Sequence, residues 1–396
     1  MSGKWIPKQA EKMPTVLRAY GLILGSMVLV TACGPELTGG LNSAGKVPSV
    51  QRLDATLDFP AGGHGFDADD NLLLIGKEET IRWLRSEKRF ARYGGPLPKV
   101  DSGTIQRDGA GNLYLSANGS LFFTLPKGET TWAPLTLKLP EFTPESGRTY
   151  RNGPLGLYVG QDGRQVVLAE YMGPQSGGYV LYERAGGDTA FRQRYIFAKD
   201  SEPLKLIGDI QRAIQLRPDG TMYLKAGNAH FVFAPDATEP TPLVDCRTLV
   251  GSYCNGEYEV VSHPATDTAY LVNTAFGPIK VFRLPAQSTY PVTPQEVQTF
   301  PGAMTQARQS RFQLDRQGRL WGALDSEDAL TVDYPPYLLD VTTLRRLDGA
   351  SWKEIVRFQT PSFEWVLSEH NTLYSFGRQL VSGGFWKGWG VYHLNF

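Results

Sequence analysis

The sequence predicts an all-β chain folded as a single β-propeller of seven blades, closed by N- and C-terminal strands that share the last blade. Three observations predict it. A strand–turn–strand unit recurs along the chain. Gly (43) and Pro (27) are abundant among the 396 residues, as turns demand. Beyond the N-terminal segment no stretch carries a 3.6-residue apolar period, whereas short apolar runs punctuated by turn residues are frequent.

The recurring unit is a strand, a tight turn holding Asp and Gly, a small or polar residue, and an apolar pair. Its clearest copy runs from Phe312 through Asp315 and Gly318 to Leu320-Trp321. A second runs from Asp108 through Gly111 to Leu113-Tyr114, and a shortened third holds Asp219-Gly220 before Met222-Tyr223. Weaker copies start at Asp67, Asp162, Asp267 and Ser368. Asp accepts hydrogen bonds from turn amides and Gly supplies a positive φ. The alternating apolar residues that follow bury one face against a neighbouring unit. The last apolar residue of each copy falls at Leu73, Tyr114, Val166, Tyr223, Tyr270, Trp321 and Tyr374, in steps of 41 to 57 residues. Blades of a propeller repeat at about 40–50 residues, so these steps fit blades with modest insertions.

Second strands follow across turns. Leu113–Leu115 and Leu121–Phe123 flank Asn118-Gly119, a hairpin signal. Met222–Leu224 and His230–Phe233 flank Gly227-Asn228; Tyr270–Val272 and Ile279–Phe282 flank Gly277-Pro278. After the seventh copy only Trp389–Phe396 remains, which leaves that blade one strand short of four. The strand-like Ser49–Phe59 precedes the first copy and is expected to complete the last blade as its outer strand, leaving only short, protected edges. The repeat resembles those of the NHL and two-component-regulator propeller families over residues 50–396. That resemblance implies the fold and little about function, since such propellers host sugar binders, protein scaffolds, lyases and lactonases.

The N-terminus reads as an export signal over residues 1–32. Lys4, Lys8, Lys12 and Arg18 precede an apolar run from Tyr20 to Ala32, broken only by small or hydroxylated residues. A transmembrane helix needs about 20 residues, and this run is shorter. The run ends Val30-Thr31-Ala32-Cys33, which resembles the lipobox of bacterial lipoproteins. The resemblance implies that Cys33 is acylated and becomes the first residue of the mature chain, so membrane lipid is one expected partner. Two acyl chains contribute about 0.8 kcal/mol per buried CH₂, enough for stable anchoring. The stretch before the apolar run is long for such a signal, so Met13 competes with Met1 as the start. Gly34, not Asp, follows the Cys, so no inner-membrane retention signal is present. The expected location is the bacterial cell envelope, facing periplasm or exterior, at the outer membrane where there is one. Residues 33–48 have tether composition and span on the order of 20 Å. Residues 49–396 then form the folded body.

Lys+Arg and Asp+Glu balance at 40 each, and removing the basic export segment leaves a slightly acidic body. Nucleic-acid binding, which needs a basic surface, is therefore not expected. Cys246 and Cys254 are the two remaining cysteines. In an oxidising compartment, with Gly251 between them, they are expected to pair as a disulfide; two free thiols are the alternative.

Chemistry is sparse. There is no Gly-x-Ser-x-Gly elbow, no His-Glu-x-x-His and no phosphate loop. Of five histidines, His64 and His263 sit just before or within repeat turns and are the catalytic candidates, with backbone-bonded strand-end histidines as the plainer reading. Asp67, Asp69, Asn71 and Glu78 match ligand positions of a calcium loop, but Leu72 stands where that loop needs Gly, and the acids coincide with the repeat's own turn. Calcium is the sole cofactor candidate. Phe385, Trp386 and Trp389 among glycines could stack on a sugar or pack between the last and first blades. Tyr334 and Tyr337 lie in the long segment between the sixth and seventh copies, a rim loop or a simple connection. The reading is a monomeric binding or scaffold lipoprotein that holds an envelope protein or glycan on one propeller face. The alternative is an axial-site enzyme, a metal-assisted hydrolase or polysaccharide lyase.

Overall fold

The computed structural model describes residues 49–57, 62–76, 78–100, 102–141, 151–172, 177–198, 214–226, 229–244, 258–263, 266–273, 278–285, 289–303, 312–325, 341–359, 363–368, 371–381 and 385–395. These residues form seven four-stranded antiparallel sheets and no helix. The chain is a β-propeller, as the repeat predicts.

The N-terminal strand β1 (Ser49–Leu57) belongs to the last sheet. Blade 1 is β2 (Gly63–Phe66), β3 (Leu72–Ile75), β4 (Glu79–Leu84) and β5 (Arg89–Pro96). Blade 2 is β6 (Gly103–Arg107), β7 (Leu113–Ala117), β8 (Leu121–Leu125) and β9 (Ala133–Pro134). Blade 3 is β10 (Arg151–Val159), β11 (Gln165–Met172), β12 (Gly177–Arg184) and β13 (Arg192–Ala198). Blade 4 is β14 (Ile214–Leu216), β15 (Met222–Ala226), β16 (Ala229–Phe233) and β17 (Thr241–Pro242). Blade 5 is β18 (Tyr258–Ser262), β19 (Ala269–Asn273), β20 (Pro278–Leu284) and β21 (Gln295–Ala303). Blade 6 is β22 (Phe312–Leu314), β23 (Leu320–Asp325), β24 (Val341–Asp348) and β25 (Ser351–Gln359). Blade 7 is β26 (Phe363–Leu367), β27 (Leu373–Val381) and β28 (Phe385–Asn395), with β1 as its outer strand.

The closure predicted from the two chain ends is therefore present. β1 pairs antiparallel with β28, from Ser49 opposite Asn395 to Leu57 opposite Trp389. Leu53 of β1 is buried with Leu72, Leu74, Val366 and Tyr374, so the closing strand is packed as well as paired.

The second strand of each blade shows how sequence alternation builds the ring. All four residues of β3 are fully buried, because both faces of the sheet meet another blade. Leu73 and Ile75 point to blade 2, beside Ile105 and Leu115. Leu72 and Leu74 point the other way, to blade 7. A period of two thus serves both seams, and each fully buried Leu or Ile contributes about 1.5–3 kcal/mol.

The turn from first to second strand repeats around the ring. The carbonyl of its first residue accepts from the N–H three residues on: Asp67 from Asp70, Asp108 from Gly111, Gly160 from Gly163, Arg217 from Gly220, Asp315 from Gly318 and Ser368 from Asn371. The donor has positive φ each time, from 61° at Asp70 to 92° at Gly111. Gly is at home there, and Asp or Asn tolerates it. In blade 5 this turn is one residue longer: Ser262 pairs with Ala269, whereas Leu314 pairs with Leu320. The insertion explains why the sequence spacing there ends at Tyr270.

Candidate functional site

The innermost strands of all seven blades line one axial channel of about 650 Å³. Each inner strand ends at the same face, where it turns into the second strand. We call this the turn face. Connections between second and third strands, and between successive blades, lie at the opposite face.

Much of the channel's polar lining is used to join blades. Gln106 on β6 donates its amide N–H to the Leu157 carbonyl (2.5 Å) and accepts from the Val159 N–H (2.9 Å). Gln215 on β14 does the same with the Val260 carbonyl (2.6 Å) and the Ser262 N–H (3.1 Å), and also accepts from the Ser262 hydroxyl. Gln313 on β22 donates to the Trp365 carbonyl (3.3 Å) and accepts from the Leu367 N–H (2.9 Å). Each amide stands in for one unit of strand pairing, satisfying backbone groups of the next blade's inner edge. All three stand two residues before the turn's first residue, in blades 2, 4 and 6. At that position blade 1 has Gly65, and its inner strand approaches blade 2 closely enough for the Gly103 N–H to donate to the Gly62 carbonyl (3.0 Å).

The turn face adds a second tier of inter-blade bonds. Arg107 Nη1 donates to the Asp67 carbonyl, joining blades 2 and 1. Arg164 Nη1 donates to the Gly220 carbonyl (2.6 Å), joining blades 3 and 4. The buried Arg217 pairs with Asp267 (3.0 Å) across blades 4 and 5. Ser368 donates to Asp70 Oδ2 (2.6 Å) across the closing seam, where Arg85 also donates to the Asp70 carbonyl (2.6 Å). Together the bonds named here cross six of the seven seams, and the seam between blades 4 and 5 carries both a Gln clamp and a turn-face ion pair.

Both candidate histidines line this channel. His64 shares with Phe66 the side of β2 turned to blade 7, where Phe66 packs on Tyr374 with ring centroids 5.9 Å apart. His263 follows β18 at the turn face and is 6% exposed. In repeat register His64 stands three residues before the turn and His263 at it. At about 3.3 Å per residue they lie roughly 10 Å apart along the axis. The channel holds both, but at different depths.

Asp67, Asp69 and Asn71 form the blade 1 turn. Asp67 Oδ1 accepts from the Asp69 N–H (2.9 Å) and the Asn71 N–H (2.8 Å), Asn71 Nδ2 donates to Oδ2 (3.0 Å), and Arg82 approaches Oδ2 at 3.3 Å. The carboxylate is occupied by the turn's own donors. Glu78 is exposed beside β4. Among the described residues no three His, Cys, Asp or Glu side chains group as a metal site.

Phe385, Trp386 and Trp389 lie on β28, inside blade 7. Trp386 stands opposite Leu380, Phe385 opposite Val381, and Trp389 opposite both Arg378 and Leu57. Cys33, Cys246, Cys254, Tyr334 and Tyr337 lie outside the described residues.

Sequence reading missed the glutamines and Arg107. A Gln two residues before the turn in three copies was the available signal. Its meaning depends on a partner strand about fifty residues away, which no local pattern displays.

No family model and no curated protein matches the sequence. Solved structures do. An oligogalacturonate lyase from Vibrio parahaemolyticus superposes with a TM-score of 0.53 at 9% identity, over 92% of this chain and 97% of that one. YCF48 from Cyanidioschyzon merolae gives 0.49 at 10% identity, over 87% and 98%. The Swd1 β-propeller domain of Myceliophteria thermophila gives 0.46 at 10% identity, over 86% and 98%. At such identities the likeness is one of fold alone; chemistry must be argued from the site.

Proposed function

We propose that the chain is a lipid-anchored binding or scaffold protein of the bacterial cell envelope that holds its ligand on a face or in the axis of the propeller. The observation that supports binding is the use of the axial polar groups. Gln106, Gln215 and Gln313 hold neighbouring backbone, and Arg107 spans a seam, so the lining acts first as a rigid frame. A preorganised frame lowers the ordering cost of association. The anchor is supported by the Val30–Cys33 pattern after the short apolar run, and it makes the envelope the place to look.

The test is cross-linking of the tagged full-length protein in its native membrane, followed by mass spectrometry of what co-purifies. One reproducible, near-stoichiometric protein or glycan partner is expected. Metabolic labelling with radioactive palmitate should mark the wild type and not Cys33→Ser. Absence of label in the wild type would overturn the anchor, and absence of any partner would count against the scaffold.

One observation favours a second reading. His64 and His263 share the channel, as an axial-site enzyme would require. Their separation along the axis places them at two sites, so that reading needs one of them to work with other residues. Release of unsaturated or shortened products from uronate polysaccharides, lost in His64→Ala or His263→Ala, would establish it.

A further inference from the structure

Blade 7 is assembled from both ends of the folded body. Strands β26 to β28 follow blade 6 in the chain, whereas the outer strand β1 leads on into blade 1, so the β1–β28 ladder closes the ring without a covalent link. That ladder is broken by two register shifts, between Arg52 and Asp54 and between Asp54 and Leu57. The turns on either side of the closing seam differ from the others in one residue. The position of positive φ holds Gly111, Gly163, Gly220 and Gly318 in blades 2, 3, 4 and 6, but Asp70 in blade 1 (φ 61°) and Asn371 in blade 7 (φ 63°). A side chain at such a φ strains the backbone, Asp and Asn least. The position also looks toward the preceding blade. A Cβ built on Gly111 would fall 3.1 Å from Ala68 of blade 1, and one on Gly318 would fall 2.7 Å from Thr268 of blade 5.

We propose that Asp70 and Asn371 are latches, one on each side of blade 7, which accept backbone strain and hold the closing blade in the ring. Asp70, 2% exposed, accepts from the Ser368 hydroxyl (2.6 Å) across the seam between blades 7 and 1. Arg85 braces this contact: its Nη2 donates to the Asp70 carbonyl (2.6 Å) and lies 3.3 Å from Asp70 Oδ2 and 3.4 Å from the Tyr374 hydroxyl of blade 7. On the other side, Asn371 Oδ1 accepts from the Arg316 N–H (2.9 Å) and Asn371 Nδ2 donates to Gln317 Oε1 (2.5 Å), both partners in the blade 6 turn. Glycine would adopt either φ without strain but could make none of the side-chain bonds. The motion opposed is a swing of blade 7 away from its neighbours once β1 and β28 part, a local opening and not global unfolding. The inference is independent of what the channel or either face binds.

The test is native-state hydrogen exchange of the full-length protein in detergent, comparing the amides of β1, β27 and β28 with those of β15 and β16 in blade 4. Asp70→Gly should speed exchange in blade 7 about tenfold and Asn371→Gly about threefold, with blade 4 unchanged in both. Asp70→Asn, which keeps an acceptor for Ser368 and tolerates the φ, should stay closer to the wild type than Asp70→Gly does. Unchanged or slower exchange in the glycine variants, the result that relief of backbone strain alone would give, overturns the latches. Equal acceleration in blade 4 overturns them too, because the bonds would then support the whole fold and not the closing blade. Exchange in Asp70→Asn as fast as in Asp70→Gly removes the cross-seam bond as the cause. Asn371→Gly, whose lost bonds lie at the surface, decides the matter if Asp70→Gly does not fold.

Discussion

The Trp321 indole N–H donates to Oδ2 of Asp315 at 2.9 Å, inside the protein, across six residues of chain. The same carboxylate accepts from the backbone N–H groups of Gln317 (3.0 Å) and Arg319 (2.8 Å) and from Arg319 Nε (2.7 Å). Tyr114 repeats the arrangement, its hydroxyl 3.2 Å from Asp108 Oδ2. Burial, with that carboxylate beside it, pushes the Tyr114 hydroxyl above its usual range and keeps it a donor. The Asp of the repeat is thus a structural pin between a turn and the second strand. Asp315→Ala strands the buried Trp321 N–H and three part-buried donors and should cost about 2–4 kcal/mol, read by urea unfolding. Asp315→Asn, which keeps one of the two acceptor oxygens, should cost less.

Gln313 should behave as an inter-blade clamp. Gln313→Met keeps length and apolar stem but leaves the Trp365 carbonyl and the Leu367 N–H without their partner. A loss of about 1–3 kcal/mol is expected, and Gln313→Glu should fail to replace it because it lacks the N–H. Hydrogen exchange should rise at Leu367 first.

Gly63 has no room for a side chain: a Cβ there would fall 1.9 Å from the Gly103 carbonyl oxygen. Gly63→Ala must push blades 1 and 2 apart and should cost about 3 kcal/mol. The melting temperature checks this, and Gly119→Ala, where a Cβ meets nothing within 4 Å, is the control. That control carries only the strain of its φ of +73°.

His230 should make the seam between blades 4 and 5 acid-sensitive. It is 4% exposed, and among the described residues neither ring nitrogen makes a well-aligned hydrogen bond. Burial, then the charge of Lys225, lowers its pKa to about 3, against a weak opposing attraction from the Tyr258 backbone. The folded state therefore favours the neutral ring. Its contribution is whole above pH about 6.5, the unfolded value, and is lost as pH falls toward 3, by at most about 1.4 kcal/mol per pH unit. Unfolding between pH 7 and 4 should show a shallower loss of stability in His230→Leu than in the wild type.

Much of the fold was legible in the sequence because its determinants are local. The seven apolar landmarks from Leu73 to Tyr374 all lie on second strands, and Asn118-Gly119 turns with φ of 49° and 73° as its hairpin signal implies. Closure was legible too, since a blade short of one strand and an unassigned strand at the other end need each other. The site was less so. His64 and His263 do reach the channel, but their depth depends on repeat register, and the Gln clamps depend on partners in the next blade. Asp67 fits both a calcium loop and the repeat's own turn in sequence because a turn-capping Asp and a metal-binding Asp share one spacing; in the structure the Asn71 N–H groups donate to its oxygens.

Removing β1 should open the ring. Without residues 49–57 the edge of β28 loses its partner and the cluster around Leu72 and Leu74 loses Leu53. An unpaired edge of that length invites association. Size-exclusion chromatography of the shortened protein should show oligomers or aggregate, while Leu53→Ala in the full chain stays monomeric and loses about 2–4 kcal/mol.

Whether the propeller binds its ligand without converting it, as proposed, is decided by incubating full-length protein with the glycan and small-molecule fraction of its own envelope and comparing the masses of retained and free components. Stoichiometric retention of one component at unchanged mass is expected, undiminished in the His64→Ala/His263→Ala double variant. Products that accumulate beyond one equivalent and disappear in that variant would contradict it.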